Sequence, residues 1–354
     1  MRIIHTADIH LGARPDAGFP WEKDREKSIR DAFMRILQTA YDEKPDLLII
    51  AGDLFHKPPK NEELKEINRL FSLIPDTAVV LCAGNHDFIN AEENYKKFKW
   101  GSNVYGLWSK NVESISIPEK DVRVYGCSYY SKTEEYDLYE DAAPEGDETF
   151  HILVAHGGDE KHSPFNVDAL KNSDFDYIAL GHIHKPGSLV QDKAVYPGGP
   201  EPLDKTETGR RGFVKVELEK GKKNNVRFIP CSEYTYETIN LYVNSELTDE
   251  EITERISEEV KNKGEKASYT LHIAGTRPSA SRIRLDRLWN IGHFIEIIDD
   301  TMIDYDVDAL LEKYQDSLLS SFILSFDENM RPEEKIALDV GIRAILSAKN
   351  NGEA

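Results

Sequence analysis

One stretch, Leu47-Leu48-Ile49-Ile50-Ala51-Gly52-Asp53, joins an apolar run to a glycine and a carboxylate. A short apolar run that ends in a turn residue is typical of a strand buried on both faces. Open α/β sheets collect their ligands at the carboxyl ends of such strands, so repetition of the pattern predicts a two-metal hydrolase. Four other runs also end on metal-binding side chains: 3–7 before Asp8 and His10, 78–84 before Asn85, His86 and Asp87, 151–155 before His156, and 177–181 before His182 and His184.

The composition is that of an ordinary soluble globular protein, with 40% hydrophobic and 31% charged residues. A chain of 354 residues predicts one large domain and one or two smaller pieces. No stretch approaches the roughly 18 apolar residues of a membrane span, and no leader-like segment precedes the first strand. We therefore expect a cytoplasmic protein without a membrane partner.

Cysteine content and charge limit the function classes. Cys82, Cys127 and Cys231 are scattered and odd in number, which indicates neither a disulfide framework nor a thiolate metal site. The formal net charge of −20 argues against a broad basic surface for DNA. A phosphodiester substrate would need local positive charge from bound metals and a few basic groups.

The patterns divide the chain into three predicted regions. Residues 1–236 alternate apolar runs with amphipathic helices at 21–41 and 62–73, which predicts two facing sheets covered by helices. Strand-like runs between 122 and 229 often lack intervening helices, so we expect antiparallel pairs there. The acidic segment 131–148 is predicted to be a solvated loop over a metal or partner site.

The pattern changes after residue 236. Residues 237–304 predict a small α/β module, whose helix begins at Thr248 with a sequence typical of a capping box. Residues 305–354 predict two terminal helices, at 306–322 and 332–348. These helices either pack on the parent domain or dock a partner, and the sequence leaves both interpretations open.

The donor inventory matches what two neighbouring divalent ions need, which is several ligands and a shared carboxylate. Asp53 is the best bridge because a carboxylate has two oxygens, and Asn85 offers a neutral oxygen. Oxygen and nitrogen donors without cysteine favour Mn²⁺, Fe or Zn²⁺. The seven candidate ligands are Asp8, His10, Asp53, Asn85, His156, His182 and His184.

These motifs, in this order, resemble the signature of calcineurin-like metallophosphoesterases. Three longer segments, at 7–12, 51–56 and 196–201, narrow the resemblance to SbcD-type DNA repair exonucleases, bacterial relatives of the meiotic recombination eleven nuclease. The resemblance covers roughly residues 1–218. It implies a four-layer α/β/β/α sandwich with a small α/β C-terminal capping module and terminal helices.

The resemblance also implies roles. Asp8, His10 and His184 would hold one ion and Asn85, His156 and His182 the other, with Asp53 shared. His86 would position the phosphate and protonate the leaving oxygen. Asp87 would orient His86 or cap the following turn, and His56 would assist at the phosphate unless it is only an exposed turn residue. The implied activity is Mn²⁺-dependent 3′-to-5′ exonuclease and endonuclease cleavage of DNA in double-strand-break repair, by a homodimer with an SbcC-type coiled-coil ATPase.

Two other functions compete with this interpretation. A phosphodiesterase or phosphatase for small nucleotides or phosphoproteins would use the same metals, and the acidic charge favours it. A non-catalytic scaffold subunit would typically have lost ligands, and here none of the seven is missing from the sequence.

Overall fold

A computed structural model of the chain describes residues 1–92, 94–264, 266–278, 285–327 and 329–351. Its contacts divide the chain into two compact units, Met1–Tyr236 and Glu237–Ala354. The predicted boundary at 304/305 lies within the second unit, and the last residues of the predicted third region, 352–354, lie outside the described residues.

The first sheet contains six strands, among them the apolar run that precedes Asp53. They are β1 Arg2–Thr6, β2 Leu47–Ala51, β3 Ala78–Cys82, β4 Val104–Gly106, β11 Gly212–Glu217 and β12 Asn225–Pro230. Strands β1 to β4 run parallel, and β11 and β12 join by antiparallel pairing at the β1 edge, in the order β12-β11-β1-β2-β3-β4. Parallel pairing brings the carboxyl ends of β1, β2 and β3 to one edge.

The second sheet also contains six strands. They are β5 Glu113–Ile117, β6 Val122–Gly126, β7 Phe150–His156, β8 Tyr177–Gly181, β9 Gly187–Val190 and β10 Ala194–Tyr196, in the order β5-β6-β7-β8-β10-β9. The pairs β6 with β7, β7 with β8 and β8 with β10 are parallel, so the expectation of antiparallel pairs is wrong there. It is right at the sheet edges and for β11 with β12. The long segment 127–149 and a short helix return the chain to the starting end of the sheet, as parallel strands require.

Side-chain alternation along the strands builds the predicted α/β sandwich. The helices of this unit are α1 Glu22–Glu43, α2 Asn61–Phe71, α3 Asn94–Lys97 and α4 Val167–Asn172, with a 3₁₀ turn at Pro118–Lys120. In β2, Leu48 and Ile50 face the helices α1 and α2, whereas Leu47 and Ile49 pack against the second sheet. Beyond the second sheet, Leu170 of α4 lies in a further cluster with Leu153.

The second unit combines a three-stranded sheet with helices. Its elements are β13 Thr235–Val243, α5 Asp249–Lys263, β14 Ala267–Pro278, α6 Leu285–Leu288, β15 His293–Asp304, α7 Val307–Lys313, α8 Leu318–Ile323 and α9 Pro332–Asn351. The sheet order is β13-β14-β15, in which β14 and β15 are parallel. Thr248 accepts a hydrogen bond from the Glu251 N–H and so forms the predicted capping box. The predicted helix at 306–322 is instead two helices, because Asp316 takes a left-handed φ of 54° and Ser317 caps a new helix.

The terminal helices pack within the second unit. Leu319 and Ile323 of α8 contact Leu338 and Ile342 of α9. The Asp339 carboxylate at the same face accepts a hydrogen bond of 3.0 Å from the Ile303 N–H of β15. Among the helices of the described ranges, none has both the length and the hydropathy needed to cross a bilayer.

His5 links the two sheets of the first unit in a position without water contact. Its Nε2–H donates to the Leu180 carbonyl oxygen at 3.2 Å, and its Nδ1 accepts from the Tyr177 hydroxyl at 2.9 Å. Burial lowers the pKa of His5 to about 3. Below about pH 6.5 the His5 imidazole is therefore protonated in the unfolded chain, whereas in the folded chain it stays neutral until the pH approaches 3.

We predict that His5 makes folding stability fall as the pH falls. Between pH 6.5 and 4.5 the free energy of unfolding should fall by up to about 1.4 kcal/mol per pH unit more in the wild type than in His5→Gln, which cannot titrate. Denaturant unfolding with a chelator, at several pH values, measures this difference. Parallel pH profiles for the two proteins would contradict the prediction.

Candidate metal centre

The ends of five strands bring the seven predicted ligands together between the two sheets. The first sheet contributes four of them and the second sheet three. In the first sheet, Asp8 and His10 follow β1, Asp53 follows β2 and Asn85 follows β3; in the second, His156 ends β7 and His182 and His184 follow β8.

The segments after β1 and β2 continue to pair beyond the sheet. The Asp8 N–H donates to the Gly52 carbonyl at 3.2 Å, and the His10 N–H donates to the Asp53 carbonyl at 3.0 Å. Asp8, His10, Asp53 and His182 all have left-handed φ angles, of 53°, 53°, 52° and 93°. Such conformations are uncommon outside glycine and cluster at functional sites.

One half of the site consists of Asp8, His10 and His184, whose donor atoms lie within 4.8 Å of one another. The His184 Nδ1–H donates to the Glu207 carboxylate at 2.6 Å, which leaves Nε2 as the free nitrogen. That Nε2 lies 3.0 Å from the His10 Nε2. In this half of the site, two imidazole nitrogens and one carboxylate are therefore close enough to bind a single ion.

The other half consists of Asn85, His156 and His182. The His156 Nδ1–H donates to the Ala51 carbonyl at 2.9 Å, and the His182 Nε2–H donates to the Asp159 carboxylate at 2.7 Å. The remaining nitrogens, Nε2 of His156 and Nδ1 of His182, lie 3.0 and 3.1 Å from the Asn85 Oδ1.

Asp53 lies between the two halves. Its Oδ2 is 3.6 Å from the His10 Nε2 and 3.5 Å from the His156 Nε2. Burial alone would raise the pKa of Asp53, but the nearby imidazoles of His156 and His10 outweigh it and hold this pKa well below its ordinary value. The carboxylate is thus ionised and shared, which is the position of a bridging ligand.

The contacts within each half test whether the site fits cations. When three of the imidazoles donate outward to a carbonyl or a carboxylate, the nitrogens that point inward carry lone pairs. While the rings are unprotonated, the lone pairs of His156 and His182 face the Asn85 oxygen at about hydrogen-bond distance, and that of His184 faces the His10 Nε2. Acceptors placed in this way repel each other unless a proton or a metal ion lies between them. A divalent ion in each half resolves this repulsion, and outward hydrogen bonds of this kind are usual for metal-binding histidines. The residues fit the two ions.

The pKa shifts of the same residues also indicate that the site favours positive charge. Although burial opposes it, Asp53 raises the pKa of His156, and Glu207 and Asp8 raise that of His184, in both cases to about 9. Burial raises the pKa of Asp8 to about 6. Protons thus compete with metal ions for these donors at neutral pH, and metal binding has to release them.

Two glycines allow the close packing around His156. A Cβ at Gly52, where φ is +87°, would collide with the His156 imidazole. A Cβ at Gly84 would collide with the Asp53 carboxylate and lie 2.7 Å from the same imidazole. The glycines that precede Asp53 and Asn85 in the sequence therefore have a steric function.

His86 and His56 lie beside the donors without being among the seven. The ring centroids of His10 and His86 are 4.7 Å apart, those of His10 and His56 are 5.5 Å apart, and those of His56 and His86 are 5.1 Å apart. The His86 N–H donates to the Asp53 Oδ1 at 2.8 Å. His56 is exposed and His86 half-buried, so both rings are accessible to a substrate.

Asp87 joins the segment after β3 to the segment after β2. Its buried carboxylate accepts from the Gly84 N–H at 2.8 Å, the Phe55 N–H at 3.1 Å and the Tyr95 hydroxyl at 2.6 Å. Burial, together with Asp53, raises the pKa of Asp87 to about 7. Within the described ranges no hydrogen bond joins this carboxylate to the His86 ring, and its contacts are to Gly84, Phe55 and Tyr95, so both predicted roles of Asp87 stay predictions.

The outer hydrogen-bond partners of the imidazoles are not indicated by the sequence. Asp159 comes only three residues after His156, but an exposed acid in a polar loop carries no distinguishing pattern. Glu207 lies 23 residues after His184, and nothing in the sequence connects the two. The third partner, the Ala51 carbonyl, is a backbone group and has no sequence signal.

Comparison with known proteins identifies relatives of the chain. An uncharacterized metallophosphoesterase, YhaO of Bacillus subtilis (strain 168), is 30% identical over 246 residues, which cover 62% of this chain and 58% of that protein. The DNA double-strand break repair protein Mre11 of Methanopyrus kandleri is 28% identical over 287 residues, which cover 72% of this chain and 62% of that protein. Mre11 of Sulfolobus acidocaldarius is 24% identical over 320 residues, covering 84% and 81%. The chain thus spans about three fifths of the length of the first two relatives.

Among solved structures, that of TT1561 of Thermus thermophilus is similar to this chain. It is 11% identical, with a TM-score of 0.38, and the match covers 64% of this chain and 98% of that one. The calcineurin-like phosphoesterase family (Metallophos) matches residues 1–186, which is more than half of the chain. The matched residues include all seven candidate donors as well as His56, His86 and Asp87. The chain therefore belongs to the calcineurin-like phosphoesterase family.

Proposed function

We propose that this protein is a Mn²⁺-dependent DNA exonuclease and endonuclease of the SbcD type, which cleaves double-stranded ends in the 3′-to-5′ direction during double-strand-break repair. The observation that carries the proposal is the pair of accessible imidazoles, His56 and His86, beside a complete set of seven donors. Metal binding alone would not need them, whereas a bound phosphodiester needs hydrogen-bond donors and a proton source.

The residues divide the work of hydrolysis. Two divalent ions held by the seven donors, with Asp53 shared, would polarise the phosphodiester and lower the pKa of a water between them. His86, held through its N–H on Asp53, positions the phosphate and donates a proton to the leaving oxygen. His56 adds a second donor at the phosphate from the neighbouring segment.

DNA as substrate and the assembly belong to the proposal. Two of the relatives are called DNA double-strand break repair proteins, and the motif resemblance extends over the nuclease-like segment that contains His56. We infer from the same resemblance a homodimer that works with an SbcC-type coiled-coil ATPase, and we keep the cytoplasmic location as part of the proposal. A partner could supply further positive charge for DNA, which the net charge of −20 of this chain does not favour.

The net charge favours a second candidate. A phosphodiesterase or phosphatase for small nucleotides or phosphoproteins needs no extended contact with a polyanion, so a charge of −20 does not hinder it. The same seven donors would serve either substrate, and only the substrate assay separates the two.

We predict that the purified chain degrades end-labelled duplex DNA with Mn²⁺ and not with a chelator. The same preparations are assayed on a small chromogenic diester, and His86→Ala purified in parallel controls for contaminating nucleases. Cleavage of the small diester alone would replace the nuclease proposal with the second candidate. Bound Mn²⁺ without cleavage of either substrate would indicate a non-catalytic scaffold subunit.

A further inference from the structure

The loop after His156 carries a carboxylate that determines how His182 faces the site. The Asp159 Oδ2 accepts the His182 Nε2–H at 2.7 Å. A carboxylate can only accept, so this hydrogen bond keeps the proton on Nε2 and leaves Nδ1 bare. The bare Nδ1 points toward the Asn85 Oδ1, 3.1 Å away, in the second half of the candidate metal centre.

A second imidazole, that of His162, also contacts the Asp159 carboxylate. The His162 Nδ1 lies 2.8 Å from one Asp159 oxygen and 3.0 Å from the other. The backbone N–H of Lys161 also donates to this carboxylate, at 2.9 Å. The rings of His162 and His182 face each other with centroids 4.4 Å apart, so Asp159 and the two rings form one packed group.

The acidic segment 131–148 is a largely exposed loop, as predicted, and its hydrogen bonds also hold the loop after His156 in shape. The Glu134 N–H donates to the Lys161 carbonyl at 2.9 Å, and the Ser163 N–H donates to the Glu134 carbonyl at 2.6 Å. The Ser163 Oγ accepts from the Leu138 N–H at 3.0 Å. In the same segment, the buried Tyr139 hydroxyl accepts from the His156 N–H at 2.9 Å.

We propose that Asp159 is a positioning residue, which together with His162 fixes the tautomer and the ring orientation of His182 as a ligand of the second metal ion. The proposal rests on the two-metal function proposed above and adds residues to it. It also gives the acidic segment a function, because that segment sets where Asp159 stands. Neither residue contacts the reacting atoms, so their effect passes through His182.

Mn²⁺ titration of the chain by calorimetry, without DNA, tests the proposal. Outer partners of metal-binding histidines are worth about 10- to 100-fold in metal affinity, so Asp159→Ala should weaken the second ion by that factor and leave the first unchanged. Asp159→Asn keeps an accepting oxygen and should recover part of the loss. Glu160→Gln removes an exposed carboxylate from the adjacent position and should bind like the wild type.

The visible absorption spectrum of the Co²⁺-loaded chain is the second readout, since it reports the ligand geometry. Asp159→Ala and His162→Ala should alter the spectrum of the second ion, a change that loss of loop stability alone would not produce. Unchanged affinities and spectra in Asp159→Ala would overturn the proposal. A third bound ion in the wild type that disappears in His162→Ala would also overturn it, since Asp159, His162 and His182 would then form a separate site. Both measurements are made without substrate, so they still test this proposal if the nuclease assay fails.

Discussion

Replacing His86 with alanine is expected to leave both metal ions bound and to lower kcat by about 10²- to 10⁴-fold, the usual contribution of a general acid. The His86 side chain is outside the seven donors, and its ring contacts His10 from the side at a centroid distance of 4.7 Å. Only the backbone N–H of His86 bonds to Asp53, and alanine keeps that N–H. In this variant the metal content should therefore stay at the wild-type level while kcat falls.

Metal analysis measures the bound ions in this variant, and DNA cleavage rates measure its turnover. His272→Ala in the second unit is the matched control, since it removes an imidazole from a strand that holds no predicted ligand, and it should retain activity. Loss of a metal ion from His86→Ala would show that the ring is a ligand and would refute the role assigned to it. Full activity would refute it equally.

Replacing Asp53 with alanine is expected to abolish binding of the metal pair and to reduce cleavage to the level of the metal-free protein. The Asp53 Oδ2 stands 3.6 Å from the His10 Nε2 and 3.5 Å from the His156 Nε2, so its loss affects both halves together. It also removes the negative charge beside two buried imidazoles and the acceptor of the His86 N–H.

The Asp53→Ala variant needs a control for backbone strain, because alanine adopts a φ of 52° less readily than aspartate does. Asp121→Ala provides it, since Asp121 has a φ of 51° and lies away from the donors at the turn before β6. Equilibrium dialysis with Mn²⁺ should give two ions per chain for Asp121→Ala and fewer than two for Asp53→Ala. An Asp53→Ala protein that still loads both ions would rule out the bridge.

The sequence was sufficient to predict where the donors meet because the relevant pattern is local. A buried strand must be apolar along its whole length, and the first polar residue after it stands at the sheet edge. The steric need at Gly52 and Gly84 adds a second local signal. Runs that are about five residues long therefore predict both the sheets and the side chains placed between them.

The parts that were missed depend on contacts between distant segments. Strand direction in the second sheet is set by how the segment 127–149 returns the chain, and that segment has no regular pattern. Glu207 meets His184 only because the chain folds back after β10. The break between α7 and α8 runs from Tyr314 to Ser317, where Tyr314 and Ser317 leave the helical region and Asp316 is left-handed, and no glycine or proline in this stretch signals it.

The left-handed backbone at Asp8, His10 and Asp53 has a consequence for the lifetime of the protein in a cell. Sparsely populated conformations of this kind cost about 1–3 kcal/mol each, and the folded chain has to offset that cost elsewhere. A ligand that binds only the folded state returns stability in proportion to the logarithm of its free concentration. The fraction of unfolded chain, on which proteases act, should then follow the supply of divalent metal. Metal starvation would lower the amount of this protein in the cell as well as its activity.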